Sequence, residues 1–398
     1  MSFDNITKLK YIYFFKSLYF FAPVLALFYL ARSLSTFELL SLEVILIATL
    51  FLFEIPTGLL ADKIKRKYSL NFVIFLYIIG NIIIIYGQNY YVFAIAQVIF
   101  GIALAFGSGA IEALVYDTLK SERRQNQMKK EWGSINSMYL FAGVISALIG
   151  GYLTKSQSMD SFVFVFWLYV IGSSIALLIS FFIVEPKHFK KVKHEGVLIL
   201  FKDSVLTILK NKSLRHIIYI SVLTMPFPHI IKLLFQPYFN LAGILPVFFG
   251  IAVSVAMLFG AILTKYAYKI EDVFGIKKTI FIMNIIPAFL YIAMSFIIKP
   301  IFAFLFYVVI FGFSQMRNPI FSQYQNDHID SRNRATVLSV ISMFHSIYFF
   351  ISQLIIGKIA DNNLLYGFLM MGIIIFVFSV IFRLDENHIK KKIKVKLS

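Results

Sequence analysis

The chain contains no cysteine, only two tryptophans in 398 residues, and charged side chains at just 15%. Without thiols there is no disulfide framework and no thiolate metal site. So small a charged fraction, beside 59% hydrophobic residues and a mean hydropathy of +0.81, excludes an ordinary soluble domain, which has no use for that much apolar surface. No Gly-x-x-x-x-Gly-Lys-Ser/Thr run is present to cradle ATP. No cluster of His, Asp and Glu has metal-ligand spacing. The chain therefore reads as a non-enzyme, with no metal and no cofactor.

What is abundant is apolar length. A membrane-crossing helix takes about 20 apolar residues. Reading apolar runs and their polar breaks gives spans near 11–31, 38–60, 68–87, 91–119, 132–154 and 161–184, then 214–240, 245–268, 277–298, 300–326, 335–357 and 363–383. This predicts an all-α integral membrane protein of twelve helices. The first span lacks a small-residue cleavage site and is expected to be a retained helix rather than a signal peptide. The polar stretch 185–213 separates an N-terminal six-helix bundle (1–184) from a C-terminal one (214–398) with a basic tail. Within it, 197–209 reads as an amphipathic surface helix.

Sidedness follows from lysine and arginine, which are retained on the cytoplasmic side in short loops. Of the 38 basic residues, only Arg32, Lys155, Lys299 and Lys358 fall in the breaks on one side, and Lys16, Lys232 and Arg317 fall inside spans. Both termini are thus expected in the cytoplasm, in a bacterial inner membrane. The net charge of +18 is explained by anionic lipid headgroups, with no nucleic acid required.

The second span ends in Phe53-Glu54-Ile55-Pro56-Thr57-Gly58-Leu59-Leu60-Ala61-Asp62-Lys63-Ile64-Lys65-Arg66-Lys67, an abrupt charged turn between two apolar runs. Gly58, Leu60, Ala61, Asp62, Lys63, Arg66 and Lys67 resemble the signature loop between the second and third helices of the major facilitator superfamily of secondary transporters. Ile64 and Lys65 stand where that family usually has an aromatic residue and glycine. The loop is echoed in the second half by Gly260 to Lys265. Asp117 with Arg123 and Asn326 with Arg332 share an offset of 209, in keeping with a parallel repeat. The resemblance implies two pseudo-symmetric six-helix bundles working as a monomer by alternating access on a small-molecule substrate. It also implies a latch made of Gly58, Asp62, Lys63, Arg66 and Asp117, with Asp117 accepting a charge-assisted hydrogen bond from Arg66.

Ionisable groups inside spans cost several kcal/mol unless they face a cavity or a partner, so they are the candidates for mechanism. Glu54, Glu112 and His229 are candidate proton carriers, with Glu112 or Glu54 pairing with Arg317 in either a titratable or a permanently structural ion pair. Glu43, Gln97, Tyr116, Lys232 and Arg317 are candidates for the substrate cavity. Lys16, about a turn into the first span, is expected to snorkel to the headgroups. Met225-Pro226-Phe227-Pro228 should break the seventh span, and Gln236-Pro237 and Asn318-Pro319 should bend theirs.

The direction of transport is marked less sharply. Gln97 stands four residues before Gly101, where proton-driven exporters of the superfamily typically carry arginine. Ser146-Ala147-Leu148-Ile149-Gly150-Gly151 keeps the glycine pair of their fifth helix but not its Gly-Pro. The runs 53–62 and 107–117 nevertheless look like a bacterial drug or metabolite efflux branch. That resemblance implies proton-driven export of small hydrophobic compounds, for which Tyr19, Phe20, Phe21, Phe106, Tyr116, Phe235, Tyr238 and Tyr324 are candidate lining. Proton symport of a small anionic nutrient, with Arg317 and Lys232 as ligands, is the alternative.

Overall fold

The computed structural model describes residues 4–61, 64, 66–107, 110–186, 212–329 and 334–383. Asp62, Lys63 and the amphipathic stretch 197–209 lie outside them. In chain order the helices are α1 (Asn5–Lys16), α2 (Leu25–Ala31), α3 (Thr36–Ala61), α4 (Arg66–Tyr86), α5 (Tyr90–Gly107), α6 (Ala110–Ser121), α7 (Met128–Leu153) and α8 (Met159–Ser180). They continue with α9 (Lys212–Thr224), α10 (Phe227–Leu241), α11 (Pro246–Met294), α12 (Pro300–His328), α13 (Arg334–Asn362) and α14 (Leu364–Ile381). Among the described residues ten stretches are long and apolar enough to cross a membrane. The 49-residue α11 would be roughly 74 Å long as one rod, more than twice the hydrocarbon thickness. It is in fact two helices meeting at Gly275, whose φ of 73° and ψ of 154° leave the helical region in a way only glycine adopts without strain. With α11 counted as two spans, and α1 with α2, α5 with α6 and α9 with α10 each counted as one, the elements match the twelve expected.

The first span is interrupted: α1 stops at Lys16, residues 17–21 are irregular, and a short 3-10 turn at Ala22–Val24, with Pro23 in it, leads into α2. Local turns carry the backbone across the gap, with Tyr19 N donating to Ser17 O and Phe20 N to Leu18 O, both at 2.9 Å. The physical cause is Pro23, which lacks the N–H that would continue the ladder and crowds the preceding turn, together with Gly150, whose missing Cβ lets the Phe20 carbonyl pack on α7. The seventh span breaks as the prolines predict, α9 ending at Thr224 and α10 starting after Pro226. The two breaks begin at residues 17 and 225, one short of the 209-residue offset seen in the sequence.

The residues group into two compact units. One is drawn from 1–193 with Ile244–Ser254, the other from 194–243 and 255–398. Within the first, α3 and α5 pack closely because Gly101 presents no side chain: a Cβ there would lie 2.5 Å from Thr49 Cβ and 2.7 Å from Leu46 O. Gly151 plays a similar part toward Gly250, where an added Cβ would come to 3.0 Å from the backbone nitrogen. Small residues at such crossings are how membrane helices approach one another. In the second unit Gly372 fits against Ala288 O, 2.7 Å from where its Cβ would stand. Replacing Gly101 by valine should therefore force α3 and α5 apart, lowering stability by about 1–3 kcal/mol. Thermal unfolding of the detergent-purified variant measures this, with the exposed Gly133, which has nothing within 4 Å of an added Cβ, as the neutral control.

Candidate functional site

One end of the first unit collects charge. Arg66, the first residue of α4, places Nε 3.0 Å from Asp117 Oδ2 at the end of α6, both side chains mostly buried. The structure thus brings together the two described charged members of the sequence-derived latch. Gly58 sits in the last turn of α3.

A residue that sequence reasoning missed completes the arrangement. Glu185, just beyond α8, accepts from the backbone N–H groups of Arg66 and Lys67 with its two carboxylate oxygens, each at 2.9 Å. It serves as an N-cap supplied from distant sequence, satisfying two of the orphan donors of α4 and placing negative charge at the positive end of the helix. Lys67 Nζ reaches back to Phe181 O at 2.7 Å, so the exchange runs both ways. The available signal was a lone acid at the head of a lysine-rich stretch.

Beside it, Glu131 bonds Lys10 at 2.9 Å and lies 3.4 Å from Arg124 Nη2. Asn5 exchanges two hydrogen bonds with the backbone of Val184. These contacts tie the start of α1 to the end of α8. Asp4 caps α1 by accepting from Thr7 N, and the bond to Thr7 holds its carboxyl below the usual range.

Deeper in the first unit, buried Gln97 donates from Nε2 to Tyr29 OH at 3.3 Å, and half-buried Glu43 lies near enough to Tyr29 to act on it electrostatically. The position where exporters carry arginine is thus occupied by a neutral hydrogen-bonded pair with a carboxylate beyond it. Glu54 and Glu112 stand at exposed positions, Glu112 in the first turn of α6 and within electrostatic reach of Tyr13. Tyr116 is 43% exposed.

The second unit centres on Arg317, which is 4% exposed. Its Nη1 donates to Asn284 Oδ1 at 2.7 Å, its Nη2 donates to Thr224 Oγ1, and the guanidinium sits 5.2 Å over the Phe321 ring. Thr224 is the last residue of α9, and on the other side of the break Tyr291 OH donates to Phe227 O at 3.1 Å. The seventh-span interruption is therefore held from both flanks by side chains of neighbouring helices. Within this unit Arg317 is met by neutral groups, and its Nε has no hydrogen-bond partner among the described residues. A buried guanidinium compensated only by dipoles and a ring is costly.

The remaining candidates stand apart from this cluster. His229 is exposed and meets Phe349 edge to face at 5.6 Å, and exposed Lys232 lies 6.0 Å above Phe311. Of the proposed lining aromatics, Phe235 and Tyr238 are core residues: Phe235 stacks on Tyr307 at 4.2 Å, and Tyr238 OH bonds Ile297 O at 2.6 Å. The side chain of Tyr324 lies outside the described residues.

Removing the Glu185 carboxylate should leave two helix-end N–H groups unbonded. Glu185→Ala is expected to cost about 0.5–2 kcal/mol and to raise hydrogen exchange at the Arg66 and Lys67 amides selectively. Unchanged exchange there would show that the cap carries no weight.

Comparison with known proteins places this geometry. The solved nucleoside transporter NupG superposes with a TM-score of 0.78 at 12% identity, covering 96% of this chain and 98% of that one. A peptide transporter of the POT type in complex with sulfate gives 0.75 at 12% identity, covering 95% and 93%. At such identities the likeness concerns the fold. In sequence, an uncharacterised transporter of Buchnera aphidicola subsp. Acyrthosiphon pisum is 27% identical over 233 residues, 56% of this chain and 57% of that protein. A second, from Buchnera aphidicola subsp. Schizaphis graminum, is 26% identical over 147 residues, 37% of this chain and 35% of its own length. The chain thus matches between a third and just over half of the length of these curated relatives. The sequence pattern described as Major Facilitator Superfamily matches residues 11–269 and 234–396. With nearly the whole chain matched and a twelve-span helical architecture in place, this protein belongs to the Major Facilitator Superfamily.

Proposed function

We propose that the protein is a proton-coupled secondary transporter that exports small, mainly hydrophobic compounds by alternating access, as a monomer in a bacterial inner membrane with both termini in the cytoplasm. The observation that carries this reading is the aromatic wall beside the first-span break. Tyr19 stacks on Tyr169 at 5.3 Å, and Phe21 stacks on Phe166 at 4.5 Å. Irregular backbone at membrane depth is tolerated only against protein or a watery cavity, and an aromatic face there suits a flat, apolar cargo. The superfamily drives such movement with ion gradients and no bound cofactor is required. Glu112 and Glu54, which stand exposed and in no ion pair among the described residues, are the groups able to exchange protons as access changes. Asp62, Arg66 and Asp117 form the latch.

A second reading, proton symport of a small organic anion, is favoured by one specific observation, the neutral partners of buried Arg317 in its own unit.

Proteoliposomes carrying an imposed pH gradient and an internal pH dye test both. Proton movement opposite to an added lipophilic compound supports export, and movement in the same direction with an organic anion supports symport. Absence of substrate-induced proton flux for every compound in the panel would remove proton coupling. Glu112→Gln is expected to abolish coupled proton movement while substrate exchange persists. Asp62→Asn is expected to slow turnover about tenfold or more with little change in half-saturating concentration, and unaltered turnover would eliminate the latch.

A further inference from the structure

Lys16 is the last residue of α1, and its depth decides what it can do. Asn5 is bonded to Val184 at the charged end of the unit, and Lys16 lies eleven residues further, about 16 Å along a helix. An independent contact gives the same level: a Cβ on Gly172 would lie 3.1 Å from Phe15 O, and Gly172 is near the middle of α8, Met159–Ser180. Lys16 therefore lies inside the bundle, six residues or about 9 Å along the helix beyond Lys10, the last charged residue before it. Its ammonium lies back over the ring of Tyr13, one turn toward the charged end.

Among the described residues Lys16 takes part in no hydrogen bond or ion pair; its ammonium sits 4.1 Å over the ring of Tyr13. Glu112 reaches Tyr13 electrostatically but makes no ion pair with Lys16. The neighbouring Ser17 hydroxyl is fully buried and also without a hydrogen-bond partner. Both sit where α1 breaks, beside Tyr13 and Tyr19, and Tyr19 is in turn close enough to Tyr13 and Tyr139 to interact with them electrostatically. An ammonium and a hydroxyl without hydrogen-bond partners among the described residues, inside the first span and flanked by phenols and stacked rings, are the complement of an acid group on a flat apolar body.

We propose that Lys16, at the break in the first span, binds the acid group of the cargo, with the adjoining tyrosines receiving an aromatic body, so that the substrate class is small aromatic carboxylates. This rests on the transporter reading and narrows its cargo to amphipathic acids. Lys16 supplies a positive charge that an uncharged isostere cannot use, and the ring faces supply area and stacking.

The test uses the full chain in detergent without any gradient, so it is independent of coupling and direction. Thermal-unfolding midpoints are recorded with benzoate, salicylate and indole-3-acetate, and with the corresponding amides. The acids are expected to raise the midpoint and the amides to leave it unchanged. Lys16→Met should weaken acid binding by about tenfold or more, and Lys16→Arg should retain most of it. Equal response to acids and amides, no response to any acid, or undiminished binding in Lys16→Met would overturn the proposal. Because the comparison of acids with amides is made on the unmodified protein, a poorly folded variant does not rescue it. Acid binding without proton flux in the liposome assay would keep this site and discard the coupled-carrier reading.

Discussion

A peptide group that leaves the helical ladder inside hydrocarbon must find another partner, because an unbonded N–H or C=O there costs several kcal/mol. This protein interrupts its helices all the same, and much of its specific side-chain chemistry follows from repairing the interruptions. At the seventh-span break Tyr291 donates from outside the helix to the Phe227 carbonyl, while Arg317 fixes the Thr224 side chain on the other flank. At the first-span break the chain uses its own tight turns and the space left by Gly150. At the start of α4 the carboxylate of Glu185 does the same for two N–H groups. Broken helices thus select for side chains that would otherwise be too polar to bury.

The two breaks differ in what they leave over. Arg317 spends one terminal nitrogen on Thr224 of the seventh span and the other on Asn284 of α11, which makes it first of all part of the scaffold. Lys16 spends nothing on the backbone and has only a ring beneath it. The equivalent places in the repeat have therefore diverged, one into a clamp and the other into a charge available to a ligand. In the same way the Gln97 and Tyr29 pair fills with neutral groups a place that exporters of the superfamily usually give to a cation.

Packing sets the second constraint. Lipid offers no hydrophobic drive for helices to associate, so close contact depends on small residues and on dispersion. Gly101, Gly151 and Gly372 sit at such crossings, and the aromatic residues, with 45 Phe and 22 Tyr, fill the spaces between. The charged end of the first unit then locks the helix ends, through Arg66 with Asp117 and Lys10 with Glu131. Ion pairs at the rim are modest contributors individually; their value lies in fixing which helix ends meet.

Much of the architecture was readable from local pattern. Apolar runs of membrane length are a strong signal because the bilayer fixes their length, and Pro226 with Pro228 announced the seventh-span break by removing backbone donors. The loop around Gly58 to Lys67 placed the chain in its superfamily, and the pairing of Arg66 with Asp117 could be anticipated from it. The first-span break was not legible, since Pro23 lies after the interruption and the decisive partner, Gly150, is more than a hundred residues away. Glu185 was missed for the same reason: a cap donated across 119 residues has no local signature. The sequence by itself determined the number of spans, the family and the residue types available for chemistry, because those depend on composition and short-range pattern. Tertiary structure alone decided which polar groups are consumed in repairing broken helices and which remain for a substrate, because that depends on contacts between segments far apart in the chain.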